Sequence, residues 1–282
     1  MVMNKIENKK VLITGVSSGL GRALAQKILE QGGYVAGTIR NKSQMAGFEA
    51  LAPGRAVALE MDITNPEQVK AGVKKAIAAF GQIDVLANNA GHGLVGAIEE
   101  TSDAEVRQML DTNFLGSLRV TRAILPQMRQ QKSGHIINYS AIGGFTGFPG
   151  LGVYSAAKAA VDIMGEALAA EVKPLGINVT ILTVGIFRTE FAGRSLQHTE
   201  QVLDAYQETP AGKFRGFIDN LSGNQPNDPD KAAEAIIKLI ESDEPPLHLA
   251  LGNDAIKTIQ DKIERLQQEL QAWHEISAST GF

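Results

Sequence analysis

The sequence predicts an α/β fold built on a parallel sheet, and three observations carry that prediction. Short apolar runs alternate with amphipathic helical stretches, the pattern of repeated strand–helix–strand units. A glycine-bearing turn, T-G-V-S-S-G-L-G, follows the first apolar run and opens the first helical stretch. At 282 residues the chain is long enough to bury a substantial core around such a sheet.

The elements follow in order. A first strand is expected at 11–14 and a first helix at 20–31. Strands at 34–39 and 56–60 come next, the latter ending near Asp62, then a helix at 66–80 closed by Gly81. A fourth strand at 83–87 leads into N-N-A-G, and a long helical region runs over 103–130. A fifth strand at 135–139, a long helix at 153–172, a sixth strand at 178–183, a helix at 231–242 and a final strand at 247–251 complete the core. Two segments look like additions to it. The stretch 187–228 is irregular, ends in S-G-N-Q-P-N-D-P, and has the length of a functional flap rather than a simple connection. The tail 254–274 carries Ile256, Ile259, Ile263, Leu266, Leu270 and Trp273 at alternating three- and four-residue steps. That is one apolar stripe on a helix, for packing on the parent domain or on a sister subunit. With no internal repeat and no low-complexity segment, 1–282 reads as one domain.

Composition narrows the function. A formal net charge of −4 leaves no basic footprint for nucleic acid. The absence of cysteine removes disulfides, thiolate metal sites and a cysteine nucleophile together. Five histidines stand singly, so no metal site is expected. The N-terminus lacks the apolar core of a signal peptide, and no apolar run approaches membrane-spanning length. A soluble, cytoplasmic protein is the expectation.

Gly15, Gly19 and Gly21 sit at the first strand-to-helix turn, with Ser17, Ser18 and Leu20 between and beside them. Such glycines let the backbone turn tightly and approach a pyrophosphate, whose charge the helix N-terminus stabilises. The spacing, in this position, points to a dinucleotide. An acidic residue about twenty positions further on would hold a free ribose 2′-hydroxyl. Here Thr38, Ile39, Arg40, Asn41 and Lys42 stand instead. Arg40 can pair with a phosphate in a bidentate manner, which favours NADP(H) over NAD(H).

Tyr154 and Lys158, in Y-S-A-A-K, lie at i and i+4 on an expected helix and share a face. A free phenol, with a pKa near ~10, is a poor base at neutral pH, and an adjacent ammonium favours its ionised form. The pair suits proton transfer to a ketone or from an alcohol.

TGVSSGLG, NNAG at 88–91, Asn113 in D-T-N-F-L-G and YSAAK occur in this order and at suitable distances. Together they closely resemble the short-chain dehydrogenase/reductase family, over about 9–251. The resemblance implies a Rossmann-like doubly wound sheet of about seven parallel strands. It assigns Tyr154 as proton donor or acceptor, Lys158 as ribose ligand and tuner of the phenol, and Asn113 as holder of a proton-relay water. It places Asp62 and Ile63 at the adenine edge, Asn89, Ala90 and Gly91 on the ribose side, and Gly185, Phe187 and Thr189 at the nicotinamide. The tail looks like that of longer-tailed carbonyl reductase-like members. A homodimer or homotetramer through the long helices at 103–130 and 153–172 is expected by resemblance.

Two positions depart from the family pattern. Members often carry S-S-x-G-G or T-S-x-G-G before the active-site tyrosine, and the second of those residues bonds the substrate oxygen. Alignment on Gly143 and Gly144 puts Ala141 there, with Ser140 one residue earlier. Neighbours on a strand face opposite ways, so Ser140 substitutes only if the strand end is twisted or bulged. Val184 replaces the proline usual before Gly185. Two main readings remain: an NADP(H)-dependent carbonyl reductase or alcohol dehydrogenase weakened at Ala141, or a dinucleotide-binding protein with little turnover, a sensor or scaffold. Dehydration or isomerisation on the same fold is a third. For the first, Phe145, Phe148, Leu151 and the flap are the pocket candidates.

Overall fold

Along β1 (Lys10–Ile13), Val11 and Ile13 enter one core and Leu12 the other, because successive strand residues face opposite sides. All three are fully buried, so this strand is covered on both faces, as parallel strands are. The same logic shapes β2 (Tyr34–Ile39), β3 (Ala56–Glu60), β4 (Val85–Asn88), β5 (Gly93–Val95), β6 (Gly134–Tyr139), β7 (Ile177–Val184), β8 (Leu196–His198) and β9 (His248–Leu251). This computed structural model describes residues 5–193, 195–219, 221 and 223–281. Among them, β3-β2-β1-β4-β6-β7-β9 form one parallel sheet in that order, and β5 pairs with β8 in a small parallel ribbon. The order reverses between β1 and β4, and the expected doubly wound sheet is what the chain forms.

Helices fill both faces. On one side α1 (Gly19–Glu30) packs against a later helix, α9 (Pro229–Glu241), through Leu24, Ile28, Ile236 and Ile237. Between them in sequence come α2 (Met45–Glu49), α3 (Pro66–Phe80), α4 (Asp103–Leu110), α5 (Ser117–Gln131), α6 (Ile142–Phe145), α7 (Gly152–Val172) and α8 (Pro210–Asp219). Val73 of α3, Ile124 of α5 and Leu168 of α7 cover the other face, over Leu12, Leu86 and Ile136. Burying one such leucine stabilises the fold by roughly 1.5–3 kcal/mol. No helix among the described residues is long and apolar enough to cross a membrane.

Three differences from expectation matter. The helical region at 103–130 is broken: a π-helical turn, Asp111–Gly116, separates α4 from α5 and carries Asn113 inward to 1% exposure. The fourth strand starts at Val85 rather than 83, because its pairing with β1 begins at Val11 and the Asp84 carboxylate accepts from Lys10 N at 2.9 Å. The flap at 187–228 is partly regular, holding β8 and α8; its positions 194, 220 and 222 lie outside the described residues.

The tail forms α10 (Asn253–Ala272) and a short α11 (His274–Ala278). Only its first turns meet the body. Ala255 is buried and Thr258, Ile259 and Lys262 are half-buried, whereas every residue from Ile263 to Gly281 is exposed.

Candidate active site

The strand register brings the C-terminal ends of β1, β4, β6 and β7 to one edge, and a cavity of ≈570 Å³ opens there. Buried polar side chains fix that edge. Thr14 Oγ1 accepts from Asn89 N and Ala90 N, both at 2.9 Å, and Asn89 Nδ2 donates to Thr14 O and Gly15 O. Below it, Asn88 Nδ2 bonds Thr121 Oγ1 and Asn138 Oδ1, each at 2.9 Å, tying β4 to α5 and β6.

At one end of the cavity lies the glycine turn. Gly15 has φ +75°, a conformation strained for any residue with a side chain, and its N–H donates to Thr38 Oγ1 at 2.8 Å. Gly21 packs so close to Gly15 O and Asn89 that a Cβ would overlap them. Ser17, Ser18, Gly19 and Leu20 line the cavity with Gly15, while Gly21 lies behind them. The N-terminus of α1 has no side-chain cap and no acidic residue in its first turn. Its free N–H groups and dipole are therefore available to an anion. This cradle fits a pyrophosphate.

Arg40, Asp62 and Ile63 form the wall beyond the turn. Arg40 is exposed at the end of β2. Burial opposes the charge on Asp62, yet bonds from Thr64 N (2.9 Å) and Thr64 Oγ1 (2.7 Å), with the field of Arg40, hold its carboxyl below the usual value. Asn89, Ala90, Gly91, Gly185, Phe187 and Thr189 line the cavity too, Thr189 lying against Gly19 of the turn.

The chemical end is built on α7. Tyr154 and Lys158 are both buried and both line the cavity, at 7% and 6% exposure. Burial pushes the Tyr154 phenol above its ordinary value, and Asp162 one turn beyond Lys158 adds to that. Burial also lowers the Lys158 ammonium to about 8, against the pull of Asp162. Lys158 Nζ donates to Tyr139 O at 2.7 Å rather than to the phenol. Asn113 does not reach the cavity wall. Its side chain is spent on the backbone of His92, accepting from N at 3.0 Å and donating to O at 2.8 Å. It thereby fixes the loop after Gly91.

Ala141 and Ser140 both line the cavity, but they face apart. Ala141 is extended (φ −153°) and its side chain packs with Tyr154, Leu94, Met109 and Ala157. Ser140 Oγ turns to α7, 3.5 Å from Lys158 O, and serves the Asp162 carboxylate. Strand alternation thus places the methyl beside the phenol and the hydroxyl behind it. Burial raises Asp162 to about 6, opposed by Ser140, Lys158 and His248 and assisted by Glu166.

Of the apolar pocket candidates, Phe148, Leu151, Phe187, Phe214 and Phe217 line the cavity. Phe145 does not; its ring lies under Lys262 of α10, 5.4 Å away. Phe191, which the sequence placed only within the flap as a whole, also lines the cavity, its ring centre 5.8 Å from that of Tyr154. Sequence reasoning missed His92, whose burial and whose neighbours Arg40 and Lys158 lower its imidazole below the usual value. The N-N-A-G motif ends one residue before His92 and was the available signal.

Known proteins resemble this chain in sequence and fold. A family model described as short chain dehydrogenase matches residues 9–200. A 3-ketodihydrosphingosine reductase of Bacteroides thetaiotaomicron is 38% identical over 245 residues, 86% of this chain and 87% of its own. The crystal structure of a short-chain dehydrogenase from Streptomyces avermitilis is 39% identical, with a TM-score of 0.89 over 96% of this chain and 100% of that one. A structure of ElxO with NADP bound is 27% identical, with a TM-score of 0.73 over 89% of this chain and 99% of that one.

Proposed function

Because the chain belongs to the short chain dehydrogenase family, an oxidoreductase family served by a nicotinamide dinucleotide, we propose that it is an NADP(H)-dependent carbonyl reductase working on an apolar ketone or aldehyde. The observation that carries this reading is the placement of Tyr154 and Lys158 in one cavity with an uncapped, glycine-lined helix N-terminus. The bound dinucleotide would supply or take the hydride. Ser17, Ser18, Gly19 and Leu20 would hold its pyrophosphate, and Arg40 a 2′-phosphate. Lys158 would reach its ribose, and Gly185, Phe187 and Thr189 its carboxamide end.

Tyr154 is the general acid. Burial keeps its phenol protonated, so it donates to a carbonyl oxygen in reduction and accepts the proton back in oxidation. Phe148, Leu151, Phe191, Phe214 and Phe217 make the space around that oxygen apolar and exclude water from it. The name of the Bacteroides relative describes reduction of a ketone, which supports the carbonyl reading. ElxO's bound NADP and Arg40 support the phosphorylated coenzyme.

Ala141 favours a second reading, a dinucleotide-binding sensor or scaffold with little turnover, because it removes a hydroxyl from beside Tyr154. Oxidation of NADPH and NADH over a panel of aldehydes, ketones and quinones separates the two. Turnover that Tyr154→Phe lowers by two orders or more supports the reductase. Tight NADPH binding without turnover across the panel supports the sensor.

A further inference from the structure

The second half of α10 leaves the body. From Ile263 onward each residue is exposed, yet the apolar stripe continues: Ile263 is 43% exposed, Leu266 46%, Leu270 68% and Trp273 61%. Ten exposed residues of helix are marginal in water, since most helical stability comes from packing an apolar face. The helix needs a partner for that face.

Its sequence specifies which. Ile256, Ile259, Ile263, Leu266, Leu270 and Trp273 occupy the a and d positions of a heptad, a coiled-coil seam rather than the broader stripe of a helix lying on its own domain. We propose that α10 pairs antiparallel with α10 of a second copy of this chain, about a two-fold axis between Glu264 and Arg265. In that register Ile263 faces Leu266 of the partner subunit, Ile259 faces its Leu270, and Ile256 faces its Trp273. Each facing pair keeps the same sum of residue numbers, as an isologous contact requires. The flanking positions agree. Lys262 meets Glu269 of the partner subunit, twice by symmetry, and Gln260 meets Gln267, so no like charges oppose.

A parallel pair gives no such match: Lys262 then flanks Gln267, and Glu269 flanks His274. A lipid surface fits less well, because the outer face mixes Lys257 and Arg265 with Asp261 and Glu264. The contact ties back to the cavity. Asp254, in the first turn of α10, accepts from Ile186 N at 2.6 Å and Asn227 Nδ2 at 2.8 Å. Lys262 Nζ donates to Phe145 O at 2.5 Å, beside the loop that leads to α7. With three donors, Lys262 can hold that carbonyl and face the partner's Glu269 together.

Light scattering on the full chain tests the pairing. Leu266→Glu/Leu270→Glu halves the particle mass and raises the dissociation constant at least 100-fold, with circular dichroism of the body unchanged; an unchanged mass overturns the proposal. The chain has no cysteine of its own, which makes the register measurable. Mixed Ile259→Cys and Leu270→Cys proteins oxidise to dimers containing one of each. Dimers of Ile259→Cys alone or Leu270→Cys alone would instead show parallel pairing, since in the antiparallel register like positions sit about 16 Å apart. Binding to phosphatidylserine vesicles that the double glutamate variant abolishes would reassign the face to lipid.

Discussion

Lys158 Nζ lies 6.0 Å from the centre of the Tyr154 ring and donates to Tyr139 O at 2.7 Å. The end of β6 thus holds the cation beside the phenol, without a direct bond between them. The cation still acts on the ring's charge through space. In the proposed reaction, where Tyr154 would give up its proton, the ammonium would stabilise the phenolate left behind.

That arrangement fixes a pH dependence. Burial lowers Lys158 from 10.5 to about 8, so the ammonium is charged below that value and lost as pH rises through it. Ketone reduction is therefore full below about pH 8 and falls above it, tenfold per unit once the group is mostly neutral. Lys158→Met abolishes this limb and lowers kcat/KM by about 10²–10³. A profile of kcat/KM against pH for both proteins is the check, and a flat profile in the parent refutes the role.

The Ala141 methyl packs against Tyr154 while the Ser140 hydroxyl turns to the backbone of α7. Ala141→Ser adds a donor on the phenol side at a backbone position already extended. Such a donor to a developing oxyanion is worth about 10²–10³ in rate. The expected result is a rise of that order in kcat with coenzyme affinity unchanged. Ser140→Ala, by contrast, removes a partner of Asp162 and leaves kcat within a few-fold.

The sheet, the glycine turn and the Tyr154–Lys158 pair were legible because each rests on local pattern: period two, period 3.6, and fixed spacing at a strand end. Even the opposed directions of Ser140 and Ala141 follow from strand alternation. What the sequence hid depends on longer-range contacts. The π-helical turn that buries Asn113 sits inside a helical pattern that reads as continuous. The β5–β8 ribbon joins strands of three residues a hundred positions apart, too short to show a period. Phe145 and Phe148 look alike in sequence, yet Phe148 lines the cavity while Phe145 lies under Lys262 of α10.

Arg40 stands where an acidic residue would select the unphosphorylated coenzyme. Arg40→Asp removes a charge-assisted bond worth about 1.5–3 kcal/mol and puts a carboxylate against the 2′-phosphate. NADPH affinity should fall by about 10- to 100-fold, while NADH affinity holds or improves. Titration of coenzyme binding for both forms measures the ratio. An unchanged ratio would remove Arg40 from coenzyme selection.

The flap is fastened through a buried carboxylate. Glu100 has no exposed side-chain surface, and its two oxygens accept from Ala97 N at 2.7 Å and Leu203 N at 2.9 Å. It also pairs with Arg215 of α8, the helix that presents Phe214 and Phe217 to the cavity. Burial opposes its charge, but those N–H bonds and Arg215 hold the carboxyl below its ordinary value. A lowered carboxyl contributes stability that is present above the unfolded pKa and lost as pH falls through the folded one, so the flap loosens in acid. Beside it Glu99 accepts from Tyr206 Oη at 2.7 Å and Glu105 from Glu200 N at 3.0 Å, both closer to solvent. Glu100→Gln leaves Arg215 without its counter-charge, and breaking a buried pair from one side costs about 3–5 kcal/mol. That loss falls on the flap before it reaches the sheet, which the Glu100 side chain does not join. KM for a bulky ketone should rise about tenfold with kcat little changed, and limited proteolysis should cut within 199–221 faster than in the parent. Glu100→Gln/Arg215→Met should recover part of both effects, because it removes the stranded charge as well. Equal damage in the single and double variants would mean that the backbone bonds of Glu100, and not its ion pair, hold the flap.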